Sequence, residues 1–315
     1  MNGPLPGGCY VILHIGSGPS GGADGHSPLV VRDGSTRFTL SDDIWIERLD
    51  VQLAKHIQEA CEPPHYNISG AGYDRHLYAF VRRVPEVDGT KNEVMTQLMA
   101  TVALSRLVHP TTTGNRYCAN VFHFGLADSA IQAVQNRGMS PDVFLSGKDR
   151  DWLSVDDAQV LRRLMPWVSK DKLMHPRVHR AYWNHEYAMR SYYLDARWIL
   201  VVSGLEALIS IGENDPSWQF RDRVRQLAAE FKIDLADDDL RRAYKLRSKL
   251  VHAESFLSGM ETILPRVQHV DLCEKLESVL RYTVRRCLLD DTFGGFFSDD
   301  AAVEARWPLN PKPKS

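Results

Sequence analysis

Too few cysteines, too little charge imbalance and no unbroken apolar run of membrane length: these absences set the first bounds on the chain. Its five cysteines, Cys9, Cys61, Cys118, Cys273 and Cys287, are odd in number and scattered, with no CxxC pair. That argues against a disulfide framework and a cysteine-based zinc site, and fits a reducing cytoplasm. Formal net charge is −2, so no field of the whole molecule draws it to nucleic acid or to an anionic membrane. Any contact with RNA needs a local basic patch. The longest apolar run, starting at Trp198, is interrupted by Glu206, and no basic stretch followed by an apolar one opens the sequence. The expectation is neither a signal peptide nor a membrane span.

What is present is a globular composition, 43% hydrophobic and 25% charged over 315 residues, enough for one large domain or two ordinary ones. The pattern predicts an α+β chain: a mixed α/β region over residues 1–150, an all-α bundle over 170–292, and a loosely held tail over 293–315 rich in proline (Pro308, Pro311, Pro313). In the first region we expect strands at Tyr10–Ile15, Leu29–Arg32, Arg37–Leu40, Ile44–Glu47, His76–Val81 and Tyr117–Phe124. Helices are expected there at Val51–Ala60 and Asn92–Val108; a short helix, Val155–Leu164, ending at Pro166, falls in the polar boundary segment Ser140–Lys170. Gly16, Gly18 and Gly21 spell GxGxxG after a strand, but Pro19, Gly22, Gly25 and Pro28 prevent the helix whose N-terminus would hold a pyrophosphate. A flexible loop is the expected reading. His123 stands alone on its strand and reads as structural or surface.

From Pro176 the pattern is helical: Val178–Tyr193, Asp195–Ile211, Trp218–Phe231, Asp237–Glu254 and Arg266–Leu289. The first of these is aromatic-rich, with Tyr182, Trp183, Tyr187, Tyr192 and Tyr193, and the sequence favours packing inside a bundle over a base-stacking surface. His175 and His179 are four apart, but Pro176 lies between them and no carboxylate completes a metal site. Arg221, Arg223 and Arg225 suit phosphate contact, yet alternate positions spread over a helix and favour solvation for at least one. Glu206, alone on a helix apolar nearly all round, needs a partner from a neighbouring helix.

The candidate chemistry lies in Asp237–Glu254, where Leu240, Ala243, Leu246 and Leu250 form the stripe and Asp237–Asp239 favour the helix start. Arg247 and His252 lie five residues apart near its end. A bare RxxxxH arises by chance roughly once in such a chain. A second one, Arg180 to His185, sits in the aromatic helix and reads as structural. Positions five apart are separated by about 140° around a helix, so either the last turn loosens or the groups that meet come from two copies of the helix. A histidine can transfer protons near neutral pH, and an arginine is always charged, with a planar fork that fits phosphate oxygens.

YKLRSKLVHAES, Tyr244 to Ser255, resembles the signature segment of the HEPN superfamily, most closely its ApeA-like branch. Upstream, RWILVVSGLEALISIGEN (Arg197–Asn214) and RDRVRQLAAEF (Arg221–Phe231) resemble the branch's preceding helices, in the expected order. Ala253 stands where the family often has glycine. The resemblance implies a HEPN-type helical bundle and a metal-independent, dimeric endoribonuclease of the cytoplasm, with motifs from two copies facing one cleft. It would take RNA rather than DNA, need no cofactor, and serve as a toxin or phage-defence effector. It implies acid/base work for His252, phosphate binding for Arg247, and supporting roles for Ser248 and Glu206. A non-catalytic HEPN module that binds RNA or a nucleotide, or dimerises within a defence assembly, is the alternative.

Overall fold

A computed structural model describes residues 8–14, 37–61, 78–84, 91–111, 113, 117–124, 129–134, 152–168, 174–191, 193–212, 215–251 and 266–312. The chain is α+β and divides into two compact units, Met1–Asp171 and Lys172–Ser315. The expected strand Leu29–Arg32, the glycines 16, 18 and 21, and His252 with Ala253 lie outside the described residues.

The first unit is built on a six-stranded antiparallel sheet: β1 (Gly8–His14), β2 (Arg37–Thr39), β3 (Ile44–Arg48), β4 (Tyr78–Arg83), β5 (Cys118–Phe122) and β6 (Ala130–Ala133), in the order β2-β3-β4-β1-β5-β6. Strand β1 lies between β4 and β5, with Val11 opposite Val81 on one side and Ala119 on the other. Helix α1 (Val51–Cys61) sets Ala54 and Ile57 on the face formed by Cys9, Val11, Leu13, Ala79, Val81, Ala119 and Val121. Alternate residues must face the other way. There Trp152 stacks on Tyr78 at 5.3 Å and meets Phe80 edge-on, and α2 (Lys91–Val108) packs across β4 and β1. Cover on both faces explains why the central strands are apolar without alternation. Helix α3 (Val155–Leu164) begins at Ser154, which exchanges hydrogen bonds with Asp157 in a capping box. It belongs to this first unit, which therefore runs past residue 150.

In the second unit the helices are α4 (Pro176–Met189), α5 (Leu194–Ile209), α6 (Pro216–Ala229), α7 (Asp237–Val251) and α8 (Arg266–Leu289). Helix α4 starts two residues before its expected boundary because Pro176 occupies the first turn, where a missing N–H costs nothing. It ends at Met189, short of Tyr193. Helix α5 is central, packing against α4, α6, α7 and α8 and burying Trp198, Val201, Val202, Leu205, Leu208 and Ile209. Gly204 permits its approach to α8: a Cβ there would lie 2.7 Å from Leu280 Cδ2. Helix α6 is capped by Asp215, whose side chain accepts from the Trp218 N–H at 3.2 Å.

The tail departs from expectation. Instead of hanging loosely, residues 290–312 form two short helices, α9 (Asp291–Gly295) and α10 (Asp300–Arg306), capped by Asp290 and Asp299, and lie along α6. Phe293, Phe297, Val303 and Trp307 are buried. The fully buried Arg223 donates from Nε to the Trp307 carbonyl (3.0 Å) and from Nη1 to the Ile209 carbonyl (3.1 Å), and pairs with Glu304. Asp222 accepts from the backbone N–H of Asn310 at 2.9 Å and from its side-chain amide. Prolines prevent regular structure past Trp307, but aromatic burial and this polar clasp hold the segment.

Candidate functional site

Glu206 of α5 and Tyr244 of α7 meet beside the Arg247 guanidinium. Its Nη2 lies 3.0 Å from Oε2 of Glu206 on α5, the partner that the isolated carboxylate requires. Tyr244, one turn earlier on α7, also hydrogen bonds to Glu206, and its ring packs 5.3 Å from Phe220 of α6. Trp198 of α5 donates its indole N–H to the Ala243 carbonyl at 3.2 Å, fixing the two helices at this level. The arrangement follows from helix periodicity: Ala243 and Leu246 are buried, and Tyr244 and Arg247, three apart, share the flank of that stripe facing α5.

Burial pushes the Glu206 carboxyl above its usual range, while Arg247 and the Tyr244 hydroxyl pull the other way; burial prevails. Burial also raises the Tyr244 phenol, with the Glu206 charge adding to it. Nε of Arg247 is buried and has no hydrogen-bond partner among the described residues. Leaving such a donor unmet costs about 1–3 kcal/mol. Ser248 follows Arg247 on α7 and is half-buried. Of the four sequence candidates, then, Arg247 and Glu206 are brought together, Ser248 is adjacent, and His252 lies just past the last described residue of α7. Tyr244 was not among them; its place three residues before Arg247 is the signal that could have revealed it.

Other sequence candidates have structural partners. His185 is fully buried, with Nε2 2.8 Å from Glu277 Oε1 on α8, whereas Arg180 is exposed, so this second RxxxxH is split between core and surface. His179 Nε2 accepts the Trp183 indole N–H at 2.9 Å. Among the described residues no group of three or more His, Cys, Asp and Glu side chains could hold a metal ion. Besides buried Arg223, Arg221 lies 3.4 Å from Asp237 and over the Trp218 ring, and Arg225 pairs with Asp222 at 2.6 Å. These three arginines are committed to intramolecular contacts. His123 occupies an exposed turn with φ +53°. No helix among the described residues is long and apolar enough to cross a membrane.

No protein-family model, curated protein or solved structure matches the chain. The functional reading therefore rests on the residues themselves.

Proposed function

We propose that the helical unit is a metal-independent endoribonuclease of HEPN type, acting in the cytoplasm as a homodimer and serving as a toxin or phage-defence effector. The observation that carries this is the hold on Arg247: Glu206, itself hydrogen bonded by Tyr244, pairs with the guanidinium near the end of α7, five residues before His252. A guanidinium fixed from one side keeps N–H groups for phosphate oxygens. In the proposed reaction His252 moves the proton, either taking it from the 2′-OH or giving it to the leaving 5′-oxygen. The 2′-oxygen attacks phosphorus, the P–O5′ bond breaks, and the products are a 2′,3′-cyclic phosphate and a 5′-hydroxyl. Arg247 stabilises the charge on the phosphoryl oxygens. The second proton-transfer group comes from the other copy of the motif, in line with the HEPN resemblance.

A second reading, a non-catalytic HEPN module that binds RNA or a nucleotide or only dimerises, is favoured by the same ion pair, since Glu206 offsets the charge that phosphate would meet. Incubating wild type and His252→Ala with mixed RNAs, with and without EDTA, separates the two. Cleavage that survives EDTA, leaves cyclic phosphate ends and disappears in the variant supports the nuclease. RNA binding without cleavage by the wild type supports the module.

A further inference from the structure

The aromatic helix does not bury all its rings. Tyr182 is in the core, but Trp183 and Tyr187 are 39% and 53% exposed, and Tyr193, just beyond α4, is 70% exposed. His179, Trp183 and Tyr187 are spaced four apart and so line one face. Their rings form a ladder: His179 to Trp183 at 6.2 Å, edge-on, and Trp183 to Tyr187 at 5.7 Å, stacked with 30° between planes. The indole N–H is engaged by His179, which fixes the ring, and Tyr182 packs against it at 5.4 Å.

The charge on this face is one-sided. Within α4 the exposed residues are Pro176, His179, Arg180, Trp183 and Tyr187. The helix's single carboxylate, Glu186, is buried. In a chain of net charge −2, α4 thus presents an aromatic strip beside Arg180 with no exposed acid of its own, while Asp300, an exposed carboxylate of α10, pairs with Arg177 in the first turn. Planar rings beside a guanidinium suit unpaired bases and their phosphates, because every base has a π-face and a guanidinium pairs with phosphate oxygens. Trp, Tyr and Arg also serve at contacts between protein copies, so the test reads oligomeric state beside affinity.

We propose that the Trp183–Tyr187 ladder on α4 is a stacking platform for single-stranded RNA. This rests on the RNA-directed reading of the helical unit, and would make α4 a substrate-holding face separate from Arg247. The test is fluorescence anisotropy with a labelled oligoadenylate of about twelve nucleotides, 2′-O-methylated throughout so that it resists cleavage, beside the same strand in a duplex. Replacing both rings, Trp183→Ala with Tyr187→Ala, should weaken single-strand binding by about 30-fold or more and leave duplex binding unchanged. Trp183→Phe with Tyr187→Phe should restore it to within about threefold. Both side chains are exposed, so melting curves of all variants should superimpose. Single-strand affinity unchanged in the alanine variant, or no oligonucleotide binding by the wild type, overturns the platform. So does a dimer-to-monomer change in that variant with affinity per chain intact, which would give the face to a second copy. A wild type that cleaves no RNA yet binds the single strand through these rings defeats the nuclease reading and leaves the platform standing.

Discussion

Nε2 of His185 lies 2.8 Å from Oε1 of Glu277, joining α4 to α8 inside the helical unit, and Arg281 donates to the same oxygen from Nε at 2.9 Å. Burial alone would raise the Glu277 carboxyl, but Arg281 and His185 outweigh it and hold it down at about 2, against an ordinary 4.5. The side of α4 opposite the exposed rings is thus anchored by a buried hydrogen bond between His185 and Glu277.

Glu277 should make stability fall in acid. Its folded pKa is depressed, so its contribution is complete above about pH 4.5 and is lost as pH falls towards about 2. Urea unfolding of the wild type should show that decline, and Glu277→Gln should reduce it. Glu277→Ala should cost about 3–5 kcal/mol at neutral pH, because Arg281 stays buried without its partner. An unchanged acid profile in the glutamine variant would count against the assignment.

Glu206 should act in the opposite sense. Its folded pKa is raised from an ordinary 4.5, so the folded state holds the proton longer and stability falls as pH rises through the window just above that value. Glu206→Gln should remove this slope with little change in stability at pH 5. Tyr244→Phe, which deletes one hydrogen bond to the carboxylate, should shift the slope further towards neutral pH. Unfolding free energies between pH 4 and 7 check both.

At Arg247 the planar fork should matter more than the charge. Arg247→Lys should lower RNA cleavage strongly while the melting temperature stays within a few degrees, and His252→Ala should lower cleavage by about 10²-fold or more. Substrates with a 2′-deoxy sugar at the cut should resist. A His252→Ala protein that cleaves like wild type would move the activity elsewhere in the chain.

The C-terminal segment should be required for folding. Cutting the chain after Ser298 removes Glu304 and the Trp307 carbonyl from Arg223, leaving a buried guanidinium short of partners, at a cost of about 3–5 kcal/mol. Arg223→Met in the shortened chain should recover part of the loss. A shortened chain that melts like the full one would mean that the clasp contributes little.

Much of this architecture was legible in the sequence because its signals are local. Ser154, Asp157 and Pro166 bound α3, and Asp215 with Pro216 starts α6. Strand β6 was not legible: Ala130–Ala133 is a short edge strand of small and polar residues, ordered by pairing with β5 rather than by its own preference. The ordered tail escaped for a similar reason, since its prolines are visible locally and its partner Asp222 is 88 residues away. At the site, Glu206 announced its need for a cation, but nothing in the sequence said that Tyr244 would share it.

That long separation also sets a schedule. Arg223 and Asp222 leave the ribosome 81 and 88 residues before Glu304 and Asn310. At synthesis rates of 5–20 residues per second, the two gaps last roughly 4 to 18 s. For that time Arg223 and Asp222 lack their C-terminal partners, and the nascent helical unit presents the apolar surface that Trp307 will later cover.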